Sequence, residues 1–128
     1  MTGGRQAAEQ FGRRAESVAA LWLFLKGYRI LARRAQTGVG ELDLVARRGG
    51  VLAIVEVKAR PNLRLGLEAI SWQQKQRIMR GASGFVSRRR ELAGLAIRYD
   101  LIVIRPWRLP HHERQFFWPE GRAAMDFN

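Results

Sequence analysis

Cysteine is absent from the chain. Its absence excludes a disulfide framework and any thiolate metal site. It fits a reducing compartment, so a cytoplasmic location is expected. Long apolar runs are missing too. The run Ala19–Leu25, with Val18 before it, falls far short of the ~20 residues that span a bilayer. The opening residues, MTGGRQAAEQ, lack the apolar core of a signal peptide. No membrane partner is expected on these grounds. Acids are scarce: 11 Asp and Glu face 23 Lys and Arg, a net charge of +12. Such an excess points to a polyanion, because phosphate contacts release counterions. Nucleic acid is the expected partner, DNA ahead of RNA. Of the 23 basic residues 20 are Arg, whose fork suits bidentate phosphate contact. A GC-rich coding bias would explain Arg over Lys, but not the surplus of positive charge. With 47% apolar residues over 128 positions, the chain reads as one globular domain, 1–128. Its expected core covers about residues 6–118, with a loose tail from Pro119.

One stretch gathers acids among apolar residues. Gly40–Arg60 reads GELDLVARRGGVLAIVEVKAR. Aliphatic and β-branched segments flank Gly49-Gly50, the pattern of a β-hairpin. Side chains alternate faces along a strand, so Glu41, Asp43 and Val45 share a face, as do Ile54, Glu56 and Lys58. A two-residue loop sets Asp43 opposite Glu56 and Glu41 opposite Lys58, with Cβ atoms about 4.5–5.5 Å apart. An odd loop would separate them, because a one-residue slip turns a strand over. The even loop also sends Leu42, Leu44, Val55 and Val57 to the other face. Val51–Val57 contains a single polar residue, Glu56, and near-continuous apolar strands are buried on both faces. A carboxylate buried beside a second one needs a cation, and a divalent metal is the natural choice.

Asp, a gap, then Glu-x-Lys on the next strand resembles the signature of the PD-(D/E)xK nuclease superfamily. Asp43, Glu56 and Lys58 carry it, with Leu42 where the signature has Pro. The wider string resembles the YraN family of small bacterial proteins over about residues 12–105. It comprises Gly27-Tyr28 with Ile30-Leu31, then GELDL over Gly40–Leu44, then VEVKAR over Val55–Arg60. The resemblance implies a restriction-endonuclease-like fold, similar to Holliday-junction resolvases. It implies Mg²⁺ or Mn²⁺ bound by Asp43, Glu56 and the Val57 carbonyl. Lys58 would orient water or stabilise developing charge, and Glu41 and Glu16 would complete the catalytic set. It also implies that Lys75 or Gln76, on the second long helix, lies near the site.

The rest of the chain supplies the scaffold. Gln6–Lys26 has helical periodicity, with Phe11, Ala15, Val18, Ala19, Trp22 and Leu25 on the apolar stripe. Glu16, at its edge, either turns toward the hairpin or pairs with Arg13 at the surface. Tyr28–Arg33 reads as a short strand and Arg34–Val39 as a loop. Pro61–Gly66 reads as a connection, where Arg60 and Arg64 are candidate phosphate contacts. Ser71 and Gln74 form a capping box for a helix whose apolar side is Trp72, Lys75, Ile78, Met79, Ala82, Phe85 and Val86. Gly81 and Gly84 within it imply close packing on the sheet. Arg88, Arg89 and Arg90 close it as a basic cluster suited to a phosphate backbone. Ala96–Ile104 reads as a strand in which Asp100 pairs with a buried Arg. His111-His112 is too local to chelate one ion, and Phe116, Phe117 and Trp118 pack as an edge strand.

The order α-β-β-β-α-β, with an extra edge strand, predicts an α/β restriction-endonuclease-like sandwich around a mixed sheet. Three functional expectations follow. The first is a metal-dependent endonuclease hydrolysing phosphodiester bonds in DNA or structured nucleic acid. The second is a nucleic-acid-binding module with a vestigial nuclease site. The third is a partner protein whose acids receive Arg from another subunit. A homodimer is compatible with each.

Overall fold

The Gly49-Gly50 loop sets the sheet. Gly49 takes φ +58°, the left-handed region that a two-residue hairpin loop needs at its first position and that Gly adopts without strain. A computed structural model describes the backbone of residues 2–119 and the side chains of residues 11–119. In it, β2 (Glu41–Arg48) and β3 (Val51–Ala59) pair from Arg48↔Val51 to Leu44↔Val55, the register of the even loop. The chain runs α1 (Thr2–Leu25), β1 (Arg29–Gln36), β2, β3, α2 (Leu63–Leu67), α3 (Trp72–Ser87), a 3-10 turn at Arg90–Leu92, β4 (Ala96–Ile104) and β5 (His111–Phe117). The sheet order is β1-β2-β3-β4-β5, with β3 and β4 parallel and the other pairs antiparallel. Among the described residues no helix is long and apolar enough to cross a membrane. The tail after Pro119 lies outside the described residues, as do the side chains of residues 6–10 in the expected core.

The apolar run of β3 is explained by cover on both faces. Leu52 and Ile54 join Leu42, Ile78, Ala82, Phe85, Leu101 and Val103 beneath α3. Ala53 and Val55 join Ala19, Leu23, Tyr28, Leu44, Ala46 and Ile102 beneath α1. The capping box forms as the sequence implies: the Ser71 hydroxyl accepts from the Gln74 N–H, and the Gln74 side chain accepts from the Ser71 N–H. Gly81 is held by close packing, since a Cβ there would lie 2.9 Å from Thr37 Oγ1 and 3.4 Å from Leu42 Cδ2. Gly84 is not, because a Cβ there meets nothing.

Four local expectations are corrected. Strand β1 continues to Gln36 through the segment read as a loop. It does so with a register shift between Ile30 and Ala32 and with Arg34 at φ +51°, a strained conformation for a long side chain. Pro61–Gly66 is not all loop, for α2 forms within it, capped by Asn62 accepting from the Leu65 N–H. The stripe that α1 buries is Ala15, Ala19 and Leu23, while Phe11, Val18 and Leu25 are exposed. Ala15 and Ala19 let the helix approach the sheet, with Leu23 buried beside them. Finally, Leu42 and Leu44 pack on opposite faces, against α3 and α1 respectively. Two residues apart in a regular strand would share a face, so β2 leaves regular alternation at Asp43, where its ladder with β3 also ends.

Candidate metal centre

The end of the β2–β3 ladder is where the acids meet. Past Leu44↔Val55 the two strands exchange side chain for backbone. The Val57 N–H donates to Asp43 Oδ2 at 2.9 Å, and the Asp43 N–H donates to Glu56 Oε2 at 3.4 Å. Each acid is thus anchored on the neighbouring strand, which fixes both carboxylates. The Val57 carbonyl, on the same side of the strand as its N–H, projects toward β2 beyond the last paired residues. The irregularity at Asp43 turns its carboxylate toward α1. There Glu16, Glu41 and Asp43 each bring an oxygen within 4.8 Å of the others. Glu16 therefore faces the site. Its partner is Arg34, with Nε to Oε1 at 2.6 Å, rather than Arg13. Glu56 stands beside this trio, on the α3 side. It lines a cavity of about 130 Å³ with Glu41, Leu42, Lys58, Gln74 and Arg77.

The electrostatics follow from burial and crowding. Burial pushes the Glu56 carboxyl up to about 8, and the neighbouring Asp43 charge pushes the same way. Burial likewise raises Asp43 to about 6, against the pull of the Val57 N–H and with a further push from Glu16. Both acids hold protons that an unfolded chain would release. Their contribution to stability is therefore complete below the ordinary carboxylate range and is lost as pH rises, through about 6 for Asp43 and about 8 for Glu56. In chelator, the melting temperature is expected to fall between about pH 4 and about pH 8. Glu56→Gln should flatten the upper part of that fall. A wild-type melting temperature that rises over this range would contradict the assigned shifts.

The other site residues expected from sequence are scattered. Lys58 reaches the cavity with Glu56 and has no hydrogen-bond or ion-pair partner among the described residues. Lys75 points away, its ammonium 5.1 Å from the Phe116 ring centroid, and Gln76 is exposed. Each residue turns a helix by 100°, so Gln74, Arg77 and Ile78 line the cavity instead. Arg60 Nη1 donates to its neighbour's carbonyl, Ala59 O, at 2.8 Å, and Arg64 on α2 pairs at 3.6 Å with Glu68, the C-cap of that helix. Arg88, Arg89 and Arg90 lie at the far end of α3, a helix of 16 residues, or about 24 Å from its start. Arg89 is occupied there, donating to Phe85 O at 2.9 Å with its guanidinium 3.6 Å from the Phe85 ring centroid. Sequence reasoning missed Arg34 and Arg77. Arg77 was findable, three residues after the capping Gln74 and next to Ile78 on the packed face. Arg34 was not, because nothing in the local pattern marks the irregularity that aims it.

A mixed sheet between helices, with Asp, Glu and Lys gathered where an internal hairpin opens, defines a restriction-endonuclease-like, nuclease-like fold. The chain belongs to the uncharacterised protein family UPF0102, whose family model matches residues 15–104. A UPF0102 protein of Paramagnetospirillum magneticum is 50% identical over 111 residues, covering 84% of this chain and 86% of that protein. Another, from Maricaulis maris, is 47% identical over 126 residues, covering 98% of each. Among solved structures the chain is similar to Hjc, a Holliday junction resolvase from Archaeoglobus fulgidus. The TM-score is 0.55 at 20% identity, over 79% of this chain and 73% of that one. At that identity the likeness bears on the fold alone.

Proposed function

We propose that this chain is a divalent-metal-dependent endonuclease that hydrolyses phosphodiester bonds in DNA or structured nucleic acid. One observation carries the reading: the buried Glu56, the half-buried Asp43 and Glu16 and the exposed Glu41 crowd together at the open end of the hairpin, with Lys58, which has no ion-pair partner among the described residues, two residues beyond Glu56. The donor set fits Mg²⁺ or Mn²⁺, since carboxylate oxygens are hard ligands and Glu16, Glu41 and Asp43 already converge within 4.8 Å. Asp43 would hold the ion, with Glu56 and the Val57 carbonyl beside it and Glu16 and Glu41 completing the shell. When bound, the ion supplies charge that polarises the phosphate and acidifies the attacking water. The Val57 N–H keeps the Asp43 carboxylate in place. Glu56, whose carboxyl is held up by burial and by the Asp43 charge in the metal-free protein, is the acid that a bound cation would favour in its ionised form. Lys58 offers its ammonium to charge developing on the phosphate. Arg77, on the cavity wall, is placed to meet a phosphate oxygen.

The relative from Archaeoglobus is a Holliday junction resolvase, so branched DNA is the first substrate to test. Purified protein would be assayed with Mg²⁺ and with Mn²⁺ on single-stranded, duplex, flapped and four-way DNA and on RNA. Metal-dependent cleavage that disappears in Asp43→Ala supports the reading. Absence of cleavage on every substrate counts against it.

A second reading, a nucleic-acid-binding module with a silent site, is favoured by Arg34. Its guanidinium already neutralises Glu16. That arginine comes from β1 of the same chain, so no partner subunit is needed to supply one. The two readings differ on metal. In the nuclease, Arg34 competes with the ion, and Arg34→Ala should tighten Mn²⁺ binding by about tenfold, the size of effect usual for groups next to a metal site. Calorimetry that finds no Mn²⁺ uptake by either protein selects the silent site.

A further inference from the structure

A second concentration of charge lies on the α1 side of the sheet, away from the acids. Asp100 is fully buried at 0% exposure. It accepts from Arg98 Nε at 2.8 Å and Nη2 at 2.7 Å, from the Gln115 N–H at 3.0 Å and from His112 Nε2 at 2.8 Å. Arg98 also donates to the Tyr28 hydroxyl. An ionised carboxylate only accepts, so His112 carries its proton on Nε2 and leaves Nδ1 as an acceptor. Lys26 Nζ fills that acceptor at 2.7 Å. The buried Arg98–Asp100–His112 chain thereby fixes the position of an ammonium at the C-terminal end of α1.

Two further cations meet it there. Arg48 Nη1 donates to the Lys26 carbonyl at 3.2 Å and its guanidinium lies 4.6 Å from the Tyr28 ring centroid. Arg114 follows His112 by two residues on β5, and its charge acts on Lys26. Burial lowers the Lys26 pKa, and Arg114 and Arg48 lower it further. Among the described residues none of the three has an ion-pair partner, and the one acid nearby is matched by Arg98. A helix C-terminus attracts cations, but it carries only about half a charge. That accounts for Arg48 on its carbonyl and leaves most of three positive charges unbalanced.

We propose that Lys26, Arg48 and Arg114 bind a backbone phosphate of nucleic acid at a site separate from the metal centre. The inference rests on the nucleic-acid reading of the chain. Lys26 keeps two N–H donors after serving His112, and the two guanidinium forks suit phosphate oxygens. The site lies about 15 Å along α1 from Glu16 at the helical rise, and about 17 Å along β2 from Asp43 at the strand rise. That span equals about five steps of duplex at ~3.4 Å each. A duplex arm running parallel to α1 would be anchored here while its target bond sits at the acids.

The test uses Lys26→Gln/Arg114→Gln, which leaves Arg48 on its carbonyl and the buried chain intact. Exposed Arg114→Gln alone is the second variant in case the double one fails to fold. Circular dichroism checks the fold. Binding of fluorescent duplex and four-way DNA is titrated across salt in EDTA. Thermal unfolding is followed in inorganic phosphate and in chloride at equal ionic strength. The double variant is expected to bind DNA about tenfold more weakly, with a salt slope shallower by about 1, one phosphate's share of counterion release. It should also lose any extra stabilisation by phosphate. Unchanged affinity and slope in a folded variant, beside a wild type that binds DNA, overturn this site while the nucleic-acid reading stands. Loss of the phosphate effect with unchanged DNA binding also overturns it, as a phosphate site that nucleic acid does not use. A wild type that binds no DNA at any salt overturns both.

Discussion

Lys58→Ala is expected to leave the fold and Mn²⁺ binding intact and to lower cleavage by about 10²–10³-fold, the usual cost of removing one preorganised charge-stabilising donor. The geometry separates the two roles. Lys58 shares the face of Glu56 and lines the same cavity, but a cation is no ligand for another cation. Its charge holds the pKa of both Asp43 and Glu56 down. Removing it relieves repulsion toward an incoming ion but lets both acids hold their protons more tightly, so Mn²⁺ affinity should change little. Asp43→Ala removes the residue shared by the carboxylate trio and the Val57 anchor, so it should lose metal uptake and cleavage together. Single-turnover cleavage of four-way and duplex DNA, beside calorimetry with Mn²⁺, distinguishes these outcomes. A Lys58→Ala protein that cuts at the wild-type rate removes Lys58 from the mechanism. One that loses Mn²⁺ binding makes its role structural.

Asp100→Ala is expected to produce the largest loss of stability of any single change in the sheet, about 3–5 kcal/mol. Burial alone would raise the Asp100 carboxyl, yet hydrogen bonds from His112 and Arg98 and the Arg98 charge hold it below its ordinary value. Deleting it strands the Arg98 guanidinium, itself buried, with the Tyr28 hydroxyl as its remaining side-chain acceptor. It also removes the acceptor of His112 Nε2 and one that the Gln115 N–H uses. Replacing the pair together, as Arg98→Met/Asp100→Leu, should cost less than Asp100→Ala alone, because no charge is then left buried without a partner. Urea unfolding measures both, with the slope of the transition unchanged if the native state keeps its compactness. A double variant as unstable as the sum of its single ones would show the ion pair to be incidental to the loss.

The sequence by itself determined the hairpin and its register. Period-two alternation and a Gly-Gly loop leave one parity that buries Leu44 and Val55 together, and Asp43 and Glu56 then have to meet at its open end. It also determined the two-faced burial of β3, the Ser71–Gln74 cap and the need of Asp100 for a buried arginine. These are properties of short segments, where neighbouring residues fix the geometry. Tertiary structure alone decided the rest. The close approach of α1, made through Ala15, Ala19 and Leu23, determined that Glu16 faces the acids. The loss of alternation at Asp43 determined that Leu42 and Leu44 part to opposite faces and that the carboxylate trio forms across α1 and β2 instead of within the hairpin. The irregular backbone of β1 determined that Arg34 supplies the countercharge. The orientation of α3 on the sheet placed Gln74 and Arg77, rather than Lys75 and Gln76, on the cavity, and left Arg88, Arg89 and Arg90 at the other end of the helix. The pairing of β5 with β4 carried His112 to Asp100 and Lys26. Each of these depends on how one packed element is rotated against another. That rotation is a property of the whole apolar interface, and no residue carries it in its own neighbourhood of the chain.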